Sequence, residues 1–125
     1  HWGLHPWAIY AVVALSLAQQ RLGTHDLAAD PERQLELVTS AEPCCMCFGA
    51  IHWSGVSSLV CGARDEDVRG IGFDEGPKPE DWVECLRRRN VRVTRDVQRQ
   101  KADGILRRYA QAGGQIYNPS FNRGD

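Results

Sequence analysis

The feature that most constrains this chain is Pro43-Cys44-Cys45-Met46-Cys47, set at the head of an apolar run that continues to Trp53. Two thiols three residues apart on the first turn of a helix share one face of it, so Cys44 and Cys47 can reach the same metal ion. The helix N-terminus favours the negative charge that thiolates bring, and its free N–H groups can point at the sulfurs. Leu35 to Thr39 is a short apolar and β-branched run just upstream, so the local pattern is strand, tight turn, Cys-bearing helix. A bare Cys-x-x-Cys could also be a redox pair or half of a zinc knuckle; the flanking Glu42-Pro43 and Met46 argue against both.

The chain has 125 residues, enough for one domain with one core. Its 15 basic and 16 acidic side chains nearly cancel, which argues against a nucleic-acid groove. No uninterrupted apolar run is long enough to span a bilayer, so no membrane partner is expected. Three of the five cysteines crowd between 44 and 47, a distribution unlike a disulfide framework. It suggests metal or structural thiols in a reducing compartment, hence the cytoplasm. The first residue is His1 rather than Met, and no signal peptide is recognisable.

Read in order, His1 to Trp7 is an irregular, aromatic entry segment. Ala8 to Leu22 is helical and apolar nearly all round, so it should be buried on several sides, with Gly23 as its C-cap. Thr24 to Arg33 is a polar loop. Leu35 to Thr39 is a strand, Pro43 to Ser54 the Cys helix, and Ser57 to Gly62 a second strand. Arg64 to Val68 is a short helix or turn, and Gly70 to Pro79 a loop. Glu80 to Arg89 is helical, with Trp82, Val83 and Leu86 facing inward. Asn90 to Val97 alternates as a third strand. Arg99 to Ala112 is a final helix with Ile105, Leu106 and Tyr109 as its apolar face, and Gln115 to Asp125 is a tail. Alternating strands and helices predict an α/β fold with at least partly parallel strands.

Glu42-Pro43-Cys44-x-Met46-Cys47-x-Gly49-Ala50-Ile51-x-Trp53, then Val60-Cys61-Gly62-Ala63, then Ile71-Gly72-Phe73-Asp74-Glu75-Gly76, together resemble the zinc-dependent nucleobase and nucleoside deaminases. The guanine deaminase and tRNA adenosine deaminase branch is the nearest in pattern. The resemblance implies a three-layer α/β/α sandwich of the cytidine-deaminase-like kind, here lacking the first helix and first two strands. One sheet edge would then stay open or be covered by a homodimer mate or another chain. It implies zinc held by Cys44 and Cys47, with a His-x-Glu on the preceding helix as third ligand and general acid/base. Those two positions fall on Ile9 and Ala11. Ile9 has no lone pair for a metal, and Ala11 can neither take nor give a proton. His5, just ahead of the helix, is the substitute ligand to consider. Cys45 points away from the pair, His52 lies too far along its helix, and His25 and His1 are surface and terminal. Glu75 is the candidate proton shuttle, with Asp74 beside it, while Glu42 is expected to tether the metal loop. Trp7, Ile9, Tyr10 and Ala11 would line an apolar substrate pocket.

Three functions are compatible with this pattern. The first is zinc-assisted hydrolytic deamination of a guanine-, adenine- or cytosine-type base or nucleoside, altered or lost through Ile9 and Ala11. A second is a deaminase scaffold, engineered or diverged, with a metal-independent small-molecule role. The third is a non-catalytic interaction module that docks through the open edge.

Overall fold

The computed structural model describes residues 10–116 and residue 118. His1, His5, Trp7 and Ile9 lie outside the described residues, as do the side chain of Tyr10 and most of the tail. The elements in order are α1 (Tyr10–Leu22), β1 (Glu36–Ala41), α2 (Cys45–Ser54), β2 (Ser58–Ala63), α3 (Asp65–Gly70), α4 (Trp82–Arg87), β3 (Arg92–Thr94) and α5 (Arg99–Gln111).

The three strands form one parallel sheet in the order β1-β2-β3. Strand periodicity then sorts the side chains. Leu37, Leu59 and Val93 stand in register and are buried beneath α1, α2 and α4, together with Ile51, Trp82 and Leu86. Ile51, Leu59 and Leu86 are fully buried, each worth about 1.5–3 kcal/mol relative to exposure. α1 lies beside α2 on this face, the arrangement expected of the two helices. Phe48 of α2 meets Trp82 of α4 edge to face, with ring centroids 6.5 Å apart.

The opposite face carries Val38, Val60 and Gly62, and α5 crosses it at the C-terminal end of β2. Gly62 leaves room for its backbone neighbours, since a Cβ there would stand 2.7 Å from the Ser40 carbonyl oxygen of β1 and 3.0 Å from the Val97 carbonyl oxygen. The result is the expected α/β/α sandwich, with its second face only partly covered. Val38 is 66% exposed beside a groove bounded by Val97, Ala102 and Ile105. Among the described residues no strand pairs with the outer edge of β1.

Two sequence expectations are corrected, and the last helix shows a feature its pattern did not reveal. β3 occupies only Arg92–Thr94 of the alternating run from Asn90 to Val97, because Asn90 and Asp96 both take φ of 64° and turn the backbone out of the ladder. α4 is Trp82–Arg87, shorter at both ends than Glu80 to Arg89. The apolar face of α5 is not buried: Ile105 is 55% and Tyr109 38% exposed. Tyr109 instead donates its hydroxyl to the Gln115 carbonyl and lies against Gly114.

Glu42, one residue past β1, is buried and fully engaged. Its carboxylate accepts from Arg95 Nε at 2.6 Å, from the second Arg95 nitrogen at 3.2 Å and from the Asp65 N–H at 3.0 Å. Its own N–H donates to the Ala63 carbonyl at 2.8 Å. Replacing Glu42 by Gln removes the charge from these bonds, and hydrogen bonds to charged groups contribute about 1.5–3 kcal/mol. Glu42→Gln is expected to lower stability by about that amount, read as a lower urea midpoint with an unchanged slope. An unchanged midpoint would show that the tether is dispensable.

Candidate functional site

Cys44 is the N-cap of α2, in extended backbone (φ −70°, ψ 176°), and its sulfur accepts from the Cys47 N–H at 3.5 Å. On the far side, the Cys47 sulfur faces the backbone N–H of Val12, in the first turns of α1. Two helix N-terminal regions therefore converge on one pair of sulfurs, where each favours negative charge. That charge resides on Cys44: the hydrogen bond from Cys47 pulls its thiol well below the usual range, against the opposing effect of burial. The same bond, burial and the neighbouring charge push Cys47 up, so it keeps its proton.

The pair opens into a cavity of about 450 Å³ lined by Ala11, Ala14, Leu37 and Glu75 as well as the two cysteines. Glu75 reaches it on the loop after α3. The Cys45 N–H donates to the Glu75 carbonyl at 2.8 Å, and Cys45 Sγ packs so tightly on Gly76 (φ 72°) that a side chain there would collide with it. Burial, then the Cys44 charge, raises the Glu75 carboxyl from 4.5 to about 7. Asp74 is exposed; its carboxylate accepts from the Gly76 N–H at 2.9 Å and shapes the loop.

Several residues that hold this loop were not found from sequence. Lys78, with its side chain 5% exposed, donates to the Pro43 carbonyl at 2.5 Å and pairs with Asp65 at 3.1 Å. Its ammonium also sits 4.7 Å from the Trp82 ring centroid. Arg69 donates to the Gly76 carbonyl at 2.6 Å. Asn118 brackets the start of the loop: it donates to the Gly72 carbonyl at 2.8 Å and accepts from the Asp74 N–H at 2.7 Å. A Lys after Gly-Pro and an Asn in a polar tail carry no periodic signal that would have marked them.

Among the described residues no three His, Cys, Asp or Glu side chains are gathered to hold one ion. Cys44 and Cys47 supply two donors, and His5, the expected third, lies outside those residues. His52 packs between Phe48 and Trp53, with centroids 6.0 and 4.9 Å away. This donor set alone does not complete a zinc site, which takes three protein ligands even where one position is open.

No protein-family model matches the chain. A probable cytosine deaminase of Schizosaccharomyces pombe is 44% identical over 60 residues, 46% of this chain and 37% of that protein. The guanine deaminase of Bacillus subtilis is 36% identical over 70 residues, 56% of this chain and 42% of that protein. Among solved structures, a guanine deaminase from Nitrosomonas europaea matches with TM-score 0.78 and 58% identity, over 81% of this chain and 56% of that one. NE0047 in complex with 2,6-diaminopurine matches with TM-score 0.82 and 56% identity, over 90% of this chain and 59% of that one. The chain thus spans about two fifths of these curated relatives and under two thirds of the solved chains. A stretch of 18 residues is 94% identical to glycine betaine transporter 1 of Vibrio parahaemolyticus, covering 14% of this chain and 3% of the transporter.

A parallel sheet that presents paired cysteines at the head of its second helix defines a cytidine-deaminase-like fold. Within that fold its likeness in sequence and structure is to nucleobase deaminases, whose guanine deaminase members imply zinc. No helix among the described residues is long and apolar enough to cross a membrane.

The raised carboxyl at Glu75 has a signed consequence. Below pH 4.5 it is protonated in folded and unfolded chains alike and costs nothing. As pH rises from 4.5 towards 7 the unfolded chain ionises first, so the folded state loses stability. Lys78 and Arg69 lessen the effect, and Asp65 adds to it. The stability of wild type minus that of Glu75→Gln, from paired urea unfolding curves, is therefore expected to fall across that window. A difference that stays constant with pH would mean an ordinary, solvated carboxylate.

Proposed function

We propose that this chain is a nucleobase-binding member of the family in which hydrolytic deamination is weak or lost. The observation that carries the reading is Ala11, buried on α1 and facing the Cys44 and Cys47 cavity. Deamination in this family needs a carboxylate that takes a proton from the attacking water and returns one to the base. A methyl group at this point does neither, and general acid/base help is worth about 10²–10⁴ in rate. Of the two glutamates that line the cavity, Glu42 is engaged by Arg95 and the Asp65 N–H, so Glu75 is the candidate shuttle, with Asp74 ordering its loop. Zinc, where bound, would supply an activated water; Cys44 and Cys47 are two of its donors and His5 the third to test. No step is assigned to the metal, because the described donors do not complete its site.

A free base of the guanine type is the favoured ligand, since guanine deaminases are among the similar proteins. The cavity of about 450 Å³ is of small-molecule size. Tyr10 and Ala11, with Trp7 and Ile9 ahead of them, would give it an apolar wall. A homodimer mate or another chain against the open β1 edge, and a cytoplasmic location, belong to the same reading.

Ammonia release from guanine, adenine, cytosine and their nucleosides, with zinc supplied, tests the proposal. Wild type is expected to stay at background. Ile9→His combined with Ala11→Glu is expected to raise bound zinc and turnover together. Wild-type turnover at ordinary enzymatic rates, about 1–10³ per second, unaffected by Glu75→Ala, would overturn it.

A further inference from the structure

We propose that the cavity at the C-terminal end of α2 is a second binding site, which takes a small aromatic phosphate monoester of the nucleoside monophosphate kind. The proposal does not depend on the function read from the Cys44 and Cys47 cavity, which opens at the other end of the same helix. Trp53 follows Cys44 by nine positions, about 13 Å along a helix axis. The second cavity has a volume of about 560 Å³, within the range of small-molecule sites.

Three segments build it. The loop after α1 supplies His25 and Asp26, the end of α2 supplies His52 and Trp53, and the turn after α4 supplies Arg89 and Asn90. The first two segments are locked together. The Leu27 N–H donates to the Ser54 carbonyl at 2.9 Å, and the Asp26 carboxylate accepts from the Ala28 N–H at 2.9 Å. Gly55 (φ 86°) lets the loop approach, because a Cβ there would stand 2.5 Å from that carboxylate. The third segment is closed by the Asn90 N–H, which donates to the Arg87 carbonyl at 2.9 Å.

The groups on these walls lack partners. Arg87 and Arg88 pair with Glu84 and Asp81, whereas the Arg89 guanidinium meets no carboxylate among the described residues. It lies 5.3 Å from the Trp53 ring centroid. That indole is 74% exposed, so ring surface remains beside the cation for a planar group to stack on. Nδ1 of His52 is buried without a hydrogen-bond partner, and a buried polar atom in a native structure calls for one. The His52 ring meets Trp53 edge to face, with centroids 4.9 Å apart. Burial and Arg89 hold this imidazole below its ordinary range, so it offers a single N–H rather than a second charge. An unpaired guanidinium beside an aromatic ring matches a phosphate carried on a planar group, since its fork bonds two phosphate oxygens at once. Asp26, the only acid in the described wall, is engaged by the Ala28 N–H. One such cation fits a mononucleotide rather than a nucleic acid, whose binding neutralises several phosphates.

Calorimetric titration of the full chain with adenosine monophosphate, adenosine and inorganic phosphate tests the site. Wild type is expected to bind adenosine monophosphate about tenfold or more tightly than adenosine, the worth of one charge-assisted contact. It should also bind it more tightly than inorganic phosphate. Arg89→Gln should erase the preference over adenosine, and Trp53→Leu the preference over inorganic phosphate. Both side chains are exposed, so the fold tolerates either change. Equal affinity of wild type for the nucleotide and the nucleoside would overturn the proposal, as would a preference that survives Arg89→Gln. Nucleotide binding lost in Cys44→Ser but kept in Arg89→Gln would place the ligand in the first cavity and overturn it as well.

Discussion

A buried carboxylate at the end of β1 is the point on which the site is hung. Taking a charge out of water costs several kcal/mol unless partners surround it. For Glu42 the partners come from far along the chain: Arg95 beyond β3 and the Asp65 N–H at the head of α3. Satisfying one side chain thus draws the C-terminal ends of all three strands together. The circuit continues, because the Asp65 side chain pairs with Lys78, and Lys78 donates to the carbonyl of Pro43, the residue next to Glu42. Charge satisfaction therefore fixes the backbone on both sides of the turn that delivers Cys44.

Local order explains which parts of the fold were legible. α1, α2, β1 and β2 are governed by apolar runs and period, and the sequence placed each to within two residues over its described length. β3 was overextended because an alternating pattern does not reveal where the backbone turns to positive φ, as it does at Asn90 and Asp96. In α5 the period correctly grouped Ile105, Leu106 and Tyr109 on one face, yet that face is largely exposed. Periodicity says which side of a helix is apolar, but it does not say what comes to cover it.

The site divides along the same line. Cys44, Cys47 and Glu75, which the fold brings to one cavity, stand in motifs written in adjacent residues. Lys78, Arg69 and Asn118 were not legible, since their partners are fixed only by the folded path: Asn118 lies 46 positions from Gly72, and Lys78 35 from Pro43. Ala11 was found only as a departure from a resemblance. Its placement on the cavity wall gives that departure its chemical meaning.

The electrostatics of the cavity then follow from its own groups. Two helix N-terminal regions and one thiol donor stabilise a single sulfur anion, and the next proton is costly to remove because the charge is already there. Glu75 is affected by the same charge, which adds to burial in keeping its carboxyl protonated up to about pH 7. Lys78 and Arg69 oppose this but are committed to Asp65, so they offset only part of it. Burial is the larger cause and the Cys44 charge the second, so the Glu75 carboxyl answers first to how the loop after α3 is packed and only then to the sulfurs.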